Sequence, residues 1–302
     1  MTKSVIFKNY VWEVAGTLHL PADFDPKHQY AAIVCVHPSG GVKEQTAGLY
    51  AEKLAEQGFV ALAYDATFQG DSTGEPRHLE NPYLCVEDVS AAIDYLTTLA
   101  YVDKERIGVL GVCAGGGYAT NAAVIDTRIK ALGTMSAVNY GQMYRHGWDN
   151  TASPQDCLAL RDMASAARTA EASGAPTQYL PTVPQRREDA TNADLAEAFD
   201  YYRTARAQHC NAPSQLPARN LAQLVTYDAF NNVELFLTQP VQIVAGSEAG
   251  TRWISEDLFR RAASEDKDLL IVEGGTHIGM YDQPTLVGAA LGKLVPFYRA
   301  HL

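Results

Sequence analysis

Cys113 stands in Gly111-Val-Cys-Ala-Gly115, with Gly116 and Gly117 following at once. Ile107 to Val112 before it form a short apolar run, and Tyr118 to Ile125 after it read as a helix. A strand, a sharp turn and a helix with a thiol at the bend is the nucleophile-elbow pattern G-x-S-x-G, with cysteine in the serine position. The flanking glycines have a mechanical reason: a side chain held at a strained turn needs neighbours without a Cβ, so that strand and helix can pass closely. The chemistry such a turn serves is attack by sulfur on an acyl carbon. The helix N-terminus behind the thiol is expected to lower its pKa and favour the thiolate. Phosphate-binding loops are also Gly-rich, but no Gly-Lys-Ser/Thr follows here, and the glycines do not fall as G-x-G-x-x-G.

A thiol nucleophile needs a base within hydrogen-bond reach and a group that orients the base. Behind this kind of elbow the order along the chain is nucleophile, acid, histidine. His277, in Glu273-Gly-Gly-Thr-His-Ile-Gly-Met280, follows the last strand-like run and precedes the final helix, and is the expected base. His37 precedes the nucleophile, and His146 and His209 fall in an irregular region; these read as structural or substrate-facing. The acid belongs in Gly246-Ser-Glu-Ala-Gly-Thr251, where only Glu248 carries a carboxylate. Asn139, at the end of the preceding strand, is the alternative, because an asparagine can also orient an imidazole. The oxyanion hole is expected from the N–H of Ala114 and from the Ser39-Gly40-Gly41 loop. Glu44 reads as a helix-start carboxylate.

The elements that must position these groups alternate. Val11–Leu20 partly alternates in polarity, as an antiparallel strand does. Tyr30–Val36, Phe59–Tyr64, Ile107–Val112, Ile129–Ser136, Pro240–Ala245 and Leu269–Val272 are apolar runs of buried-strand length. Helical spacing separates several of them, around Tyr50–Gln57 and Val86–Leu96, and a last helix is expected over about Pro284 to Tyr298. Alternating strands and helices imply a mostly parallel sheet covered on both faces, with reactive groups outside the carboxyl ends of its strands. Residues 140–239 break the rhythm and are rich in Ala, Gln, Arg and Pro, with helical stretches over 156–172 and 192–208. A hundred residues is too long for a plain connection. The expectation is a core of residues 1–139 and 240–302 and a helical cap insertion over 140–239.

The chain has 302 residues and a formal charge of −11, from 24 Lys plus Arg against 35 Asp plus Glu. That balance argues against a nucleic-acid or anionic-membrane surface. No segment has the apolar length of a membrane span or the pattern of a signal peptide, so a cytoplasmic location is expected. Its five scattered cysteines form neither a disulfide framework nor a C-x-x-C metal site.

Four stretches carry a family likeness: His37-Pro-Ser-Gly-Gly-Val-Lys-Glu-Gln45, Tyr64-Asp-Ala-Thr-Phe-Gln-Gly-Asp-Ser72, Gly111-Val-Cys-Ala-Gly-Gly-Gly-Tyr118 and Gly275-Thr-His277. Tyr201-Tyr-Arg-Thr-Ala-Arg206 extends it into the insertion. On these residues the chain resembles α/β-hydrolases of the dienelactone-hydrolase-like group, in the branch of fungal polyketide transferase-like proteins. The resemblance implies an α/β-hydrolase fold, a Cys or Ser nucleophile, a histidine base, no metal or other cofactor, and ester, lactone or thioester chemistry. Members of that branch often carry an aspartate near the position of Gly250, so Glu248 stands here as a substitute. The expected function is hydrolysis of a small-molecule acyl substrate through an acyl-enzyme on Cys113, with His277 and Glu248. The alternatives are acyl transfer from the same intermediate and a non-catalytic binding protein on a decayed scaffold. A homodimer is left open.

Overall fold

The structure is a computed structural model that describes residues 1–302. The chain opens with β1 (Thr2–Asn9) and β2 (Trp12–His19), then β3 (Tyr30–Val36), α1 (Thr46–Ala55), β4 (Val60–Tyr64) and α2 (Pro82–Thr97). Next come β5 (Val102–Val112), α3 (Ala114–Ile125) and β6 (Ile129–Met135). The long intervening segment holds α4 (Tyr140–His146), α5 (Cys157–Ala172), β7 (Tyr179–Pro181), α6 (Ala193–Tyr202), β8 (Gln215–Pro217), α7 (Leu221–Thr226) and α8 (Val233–Phe236). The chain closes with β9 (Val241–Gly246), α9 (Arg252–Arg261), β10 (Lys267–Val272), α10 (Gly279–Asp282) and α11 (Pro284–His301).

Eight strands form one sheet in the order β1-β2-β4-β3-β5-β6-β9-β10. β2 pairs antiparallel with both β1 and β4, and every other pairing is parallel. This is the mostly parallel α/β sheet the alternation predicts. Every residue of β3, β4 and β9 is buried, as strands covered on both faces must be. α1 and α11 lie on one face, where Phe59 packs against Tyr298. α2, α3 and α9 cover the other.

β1 is the strand of the main sheet not legible in the sequence. Only Phe7 and Asn9 of its eight residues are buried, so an edge strand with lysines facing solvent shows little apolar signal. α9 was also unread; only Ile254, Ser255 and Leu258 of its ten residues are buried. Within 140–239 the expected helix over 156–172 is α5, preceded by a short 3₁₀ turn at Pro154–Asp156. The one expected over 192–208 stops at Tyr202. Beyond it Arg206 turns onto Asp282 and Glu197, an ion-paired contact between this segment and α10. The segment is not wholly helical: β7 and β8 make a separate two-stranded antiparallel sheet.

Candidate active site

Cys113 sits between β5 and α3 with φ 56° and ψ −123°. A positive φ at a non-glycine residue costs about 1–3 kcal/mol and persists only where the surroundings over-determine it. Three backbone hydrogen bonds do so here. The Cys113 N–H donates to Met135 O at 3.0 Å, and its carbonyl accepts from the N–H groups of Gly116 at 2.9 Å and Val138 at 2.8 Å. The flanking glycines are required by contact. A Cβ on Gly111 would lie 2.3 Å from Gly115 O, and one on Gly115 would lie 2.4 Å from Val36 O.

The thiol is 9% exposed. Burial pushes its pKa up to about 11, against the opposing influence of the Tyr281 hydroxyl and the Ala114 N–H. The lowering expected from the helix N-terminus is therefore overturned. A helix terminus contributes at most about 2 kcal/mol, whereas a rise of two pKa units is about 3 kcal/mol in the other direction. Enclosure of the sulfur outweighs the dipole and favours the neutral thiol.

His277 is fully buried in the loop between β10 and α10. That loop and the one after β9 press together: a Cβ on Gly246 would lie 2.0 Å from Gly275 O, and the Glu248 N–H donates to the same carbonyl at 2.9 Å. The imidazole Nδ1 is 2.5 Å from Thr251 Oγ1, and its Nε2 is 3.0 Å from the Tyr281 hydroxyl. The Trp148 ring packs on it with centroids 4.8 Å apart. Burial lowers the His277 pKa to about 4, with Asp194 pulling the other way. The Tyr281 hydroxyl also faces the Cys113 thiol and favours its ionised form. The hydroxyl that meets Nε2 thus also borders the sulfur. Tyr202, on α6, borders the same group and lies close to Cys113.

The remaining expected groups are distributed less simply. The Glu248 carboxylate is exposed and accepts from the Ser247 hydroxyl at 3.2 Å; the atom facing His277 Nδ1 is the hydroxyl of Thr251. The reason is local: the tight crossing at Gly246 and Gly275 draws the backbone of Glu248 inward and leaves its side chain pointing to solvent. Asn139 does not reach the imidazole either. It caps α4 by accepting from Gln142 N–H, and its amide donates to Asp228 at 2.6 Å. Of the oxyanion donors, Ala114 directs its N–H at the Cys113 sulfur. The Gly40 N–H is held by the buried Glu80 carboxylate at 3.2 Å, and the Ser39 hydroxyl accepts from Tyr140 at 2.9 Å. Glu80 also accepts from the Tyr118 hydroxyl at 2.8 Å.

The other histidines serve elsewhere. His37 accepts from Ala66 N–H at 2.9 Å and meets Pro38 O at 2.6 Å, a structural role. His209 Nδ1 accepts from Asn211 N–H at 3.2 Å, and His146 packs edge-on against Trp253. Glu44 is exposed and pairs with Lys43 at 2.7 Å, just ahead of α1. Four residues at the site were missed by sequence reasoning: Thr251, Tyr281, Asp194 and Glu80. Tyr281 had a readable signal, since it lies four residues past His277 and so one turn along the chain. Asp194 had none, being 83 residues upstream of the histidine it approaches.

Comparison with known proteins agrees with this architecture. Residues 33–290 match the model of the alpha/beta hydrolase family. The chain is 52% identical to the Escherichia coli protein YcjY over 289 residues, covering 96% of this chain and 94% of that one. The crystal structure of the Pseudomonas aeruginosa protein PA2218 superposes with a TM-score of 0.92 at 30% identity, covering 100% of this chain and 94% of that one. More distantly, a thiohydrolase of Aspergillus aculeatus is 33% identical over 101 residues, 33% of this chain and 32% of that protein. A polyketide transferase of Penicillium crustosum is 35% identical over 98 residues, 32% of each. No helix is long and apolar enough to cross a membrane. The sheet order, the elbow and the near full-length match together establish that the chain belongs to the alpha/beta hydrolase family.

Proposed function

We propose that this protein hydrolyses an ester, lactone or thioester through an acyl-enzyme on Cys113, with His277 as base. The observation that carries the reading is the Tyr281 hydroxyl, which meets His277 Nε2 at 3.0 Å and lies beside the thiol of the strained elbow. With a neutral thiol and a neutral imidazole at rest, the proton moves as sulfur attacks. The Cys113 thiol gives its proton to the Tyr281 oxygen while that hydroxyl gives its own to Nε2. Sulfur bonds to the acyl carbon, and the carbonyl electron pair moves to oxygen. The Ala114 N–H is the nearest donor to that oxyanion, and Gly40 N–H joins it if Glu80 withdraws. Collapse breaks the bond to the leaving group, which takes the proton from His277. Water then adds by the same path in reverse, releasing the acid and the thiol.

The segment over 140–239 serves in this reading as the lid of the site. It carries Tyr140, Tyr202, Trp148 and Asp194 onto the catalytic groups, and Asn220 within it holds both backbone polar groups of Glu80. The enclosure favours a second reading, acyl transfer. A site in which His277 is wholly buried and Cys113 nearly so excludes water, and an alcohol or amine acceptor then competes well for the intermediate. The fungal thiohydrolase and polyketide transferase relatives represent these two outcomes. A free thiol nucleophile suits a reducing compartment such as the cytoplasm.

The test is mass spectrometry of the intact protein after incubation with a panel of p-nitrophenyl esters and acyl thioesters. An acyl adduct on Cys113 that is absent in Cys113→Ala supports the covalent pathway, and His277→Ala is expected to stay folded with most turnover lost. Absence of any adduct or turnover would leave a binding protein on this scaffold. With a labelled ester and an added alcohol, accumulation of acid or of new ester separates hydrolysis from transfer.

A further inference from the structure

Asp194 lies in the first turn of α6, inside the 140–239 segment, and is 6% exposed. It accepts three N–H hydrogen bonds: from Trp148 Nε1 at 2.6 Å, Gly250 N at 2.8 Å and His277 N at 3.3 Å. No lysine, arginine or histidine side chain forms an ion pair with it. Buried carboxylates are ordinarily matched by a positive charge. A group able to become one is the imidazole of His277, the residue whose backbone N–H Asp194 already holds and whose Nδ1 meets only the neutral hydroxyl of Thr251. Gly250 leaves the room this arrangement needs, since a Cβ there would lie 2.6 Å from Trp148 Cδ1 and 3.0 Å from Asp194 Oδ2.

Resting on the covalent reading above, we infer that Asp194 supplies the negative charge that stabilises protonated His277, so that the acid of the catalytic set comes from the lid segment and not from the loop after β9. Thr251 fixes the ring, and Asp194 provides the field. It bonds the backbone N–H of His277 and neither ring nitrogen, so it is a positioning residue that acts through His277. The consequence is a coupling between closure and chemistry. When the segment undocks, Asp194 leaves with Trp148, and the imidazolium loses its counter-charge. Turnover then requires the closed state, in which water is also excluded.

The groups facing His277 are Thr251 after β9, Tyr281 on α10, Trp148 after α4 and Asp194 on α6, with Cys113 and Tyr202 bordering Tyr281. Glu197 stands one residue away on the Thr276 hydroxyl and is paired with Arg206. The experiment compares wild type with Asp194→Asn and Asp194→Ala. In the acylation of Cys113 by a p-nitrophenyl ester, kcat is expected to fall about 10- to 100-fold with KM within about twofold. Amide hydrogen exchange over residues 193–202, which reports opening of the segment, is expected to stay the same. The His277 ring titration, followed by NMR without substrate, is expected to move to lower pH in both variants. Adding Thr251→Asp, which puts a carboxylate directly on Nδ1, is expected to restore turnover to Asp194→Asn. An unchanged kcat and ring titration would overturn the inference. So would a loss accompanied by faster amide exchange over residues 193–202 and no rescue, which marks a purely structural role. If wild type itself forms no acyl-Cys113, the covalent reading has failed first, and this inference falls with it.

Discussion

The ionisation state of Cys113 is the sharpest point at which the site can be tested. Its pKa is raised to about 11 and that of His277 lowered to about 4, both chiefly by burial. A resting thiolate–imidazolium pair would have to bridge that gap, which is on the order of 10 kcal/mol. At pH 7 the thiolate fraction is then about 10⁻⁴, against about 10⁻² for a cysteine at its ordinary value near 9. Alkylation of Cys113 by iodoacetamide at pH 7 is therefore expected about 100-fold slower than that of a free thiol, from ionisation alone. The rate is expected to rise about tenfold per pH unit up to the limit of stability. Peptide mass spectrometry after timed quenching reads this directly. Cys210, the one exposed cysteine, marks the time scale and is expected to label first. A plateau in Cys113 labelling between pH 5 and 7 would mean a pre-formed ion pair. The neutral-thiol mechanism, and the dominance of burial over the helix terminus, would then be wrong.

Three further outcomes are expected. Tyr281→Phe removes the hydroxyl shared by sulfur and imidazole; the burst of p-nitrophenol is expected to slow about 10- to 100-fold, with Cys113 still more resistant to alkylation. Glu248→Gln, at an exposed carboxylate bonded only to Ser247, is expected to change kcat/KM by less than about twofold; a large loss would return it to the acid's role. His277 binds a proton more readily in the unfolded chain, at its ordinary 6.5, than in the fold at about 4. Its contribution is thus complete above pH 6.5 and is lost as pH falls towards 4, a change of about 3 kcal/mol. Urea midpoints of wild type and His277→Gln across pH 7 to 4 are expected to converge by roughly that amount, and parallel curves would show that the imidazole is not buried neutral.

Much of this site was written locally in the chain. The elbow needs only neighbours in sequence, since glycines at 111 and 115 on either side of Cys113 permit the close crossing that holds a positive φ. His277 was legible because a Gly-rich loop after the last strand and before the last helix has one place to go in a parallel sheet. The apolar runs of β3, β4 and β9 marked buried strands for the same reason. β1 was not legible, because an edge strand buries too little to show a pattern.

What the sequence by itself determined, then, is the sheet, the order of its strands' contents and the placing of Cys113 at the elbow and His277 in the loop after the last strand. Those follow from periodicity and from turns whose geometry is set within a few residues. The tertiary structure alone decided the burial of the thiol, the hydroxyl that lies beside it and meets the imidazole, and the carboxylate near that imidazole. Burial depends on everything packed around Cys113, and it reversed the sign of the shift that the helix terminus alone implies. Asp194 and His277 are brought together by the docking of a segment a hundred residues long onto the sheet's carboxyl edge. No local rule encodes that contact, because its energy belongs to the packed whole.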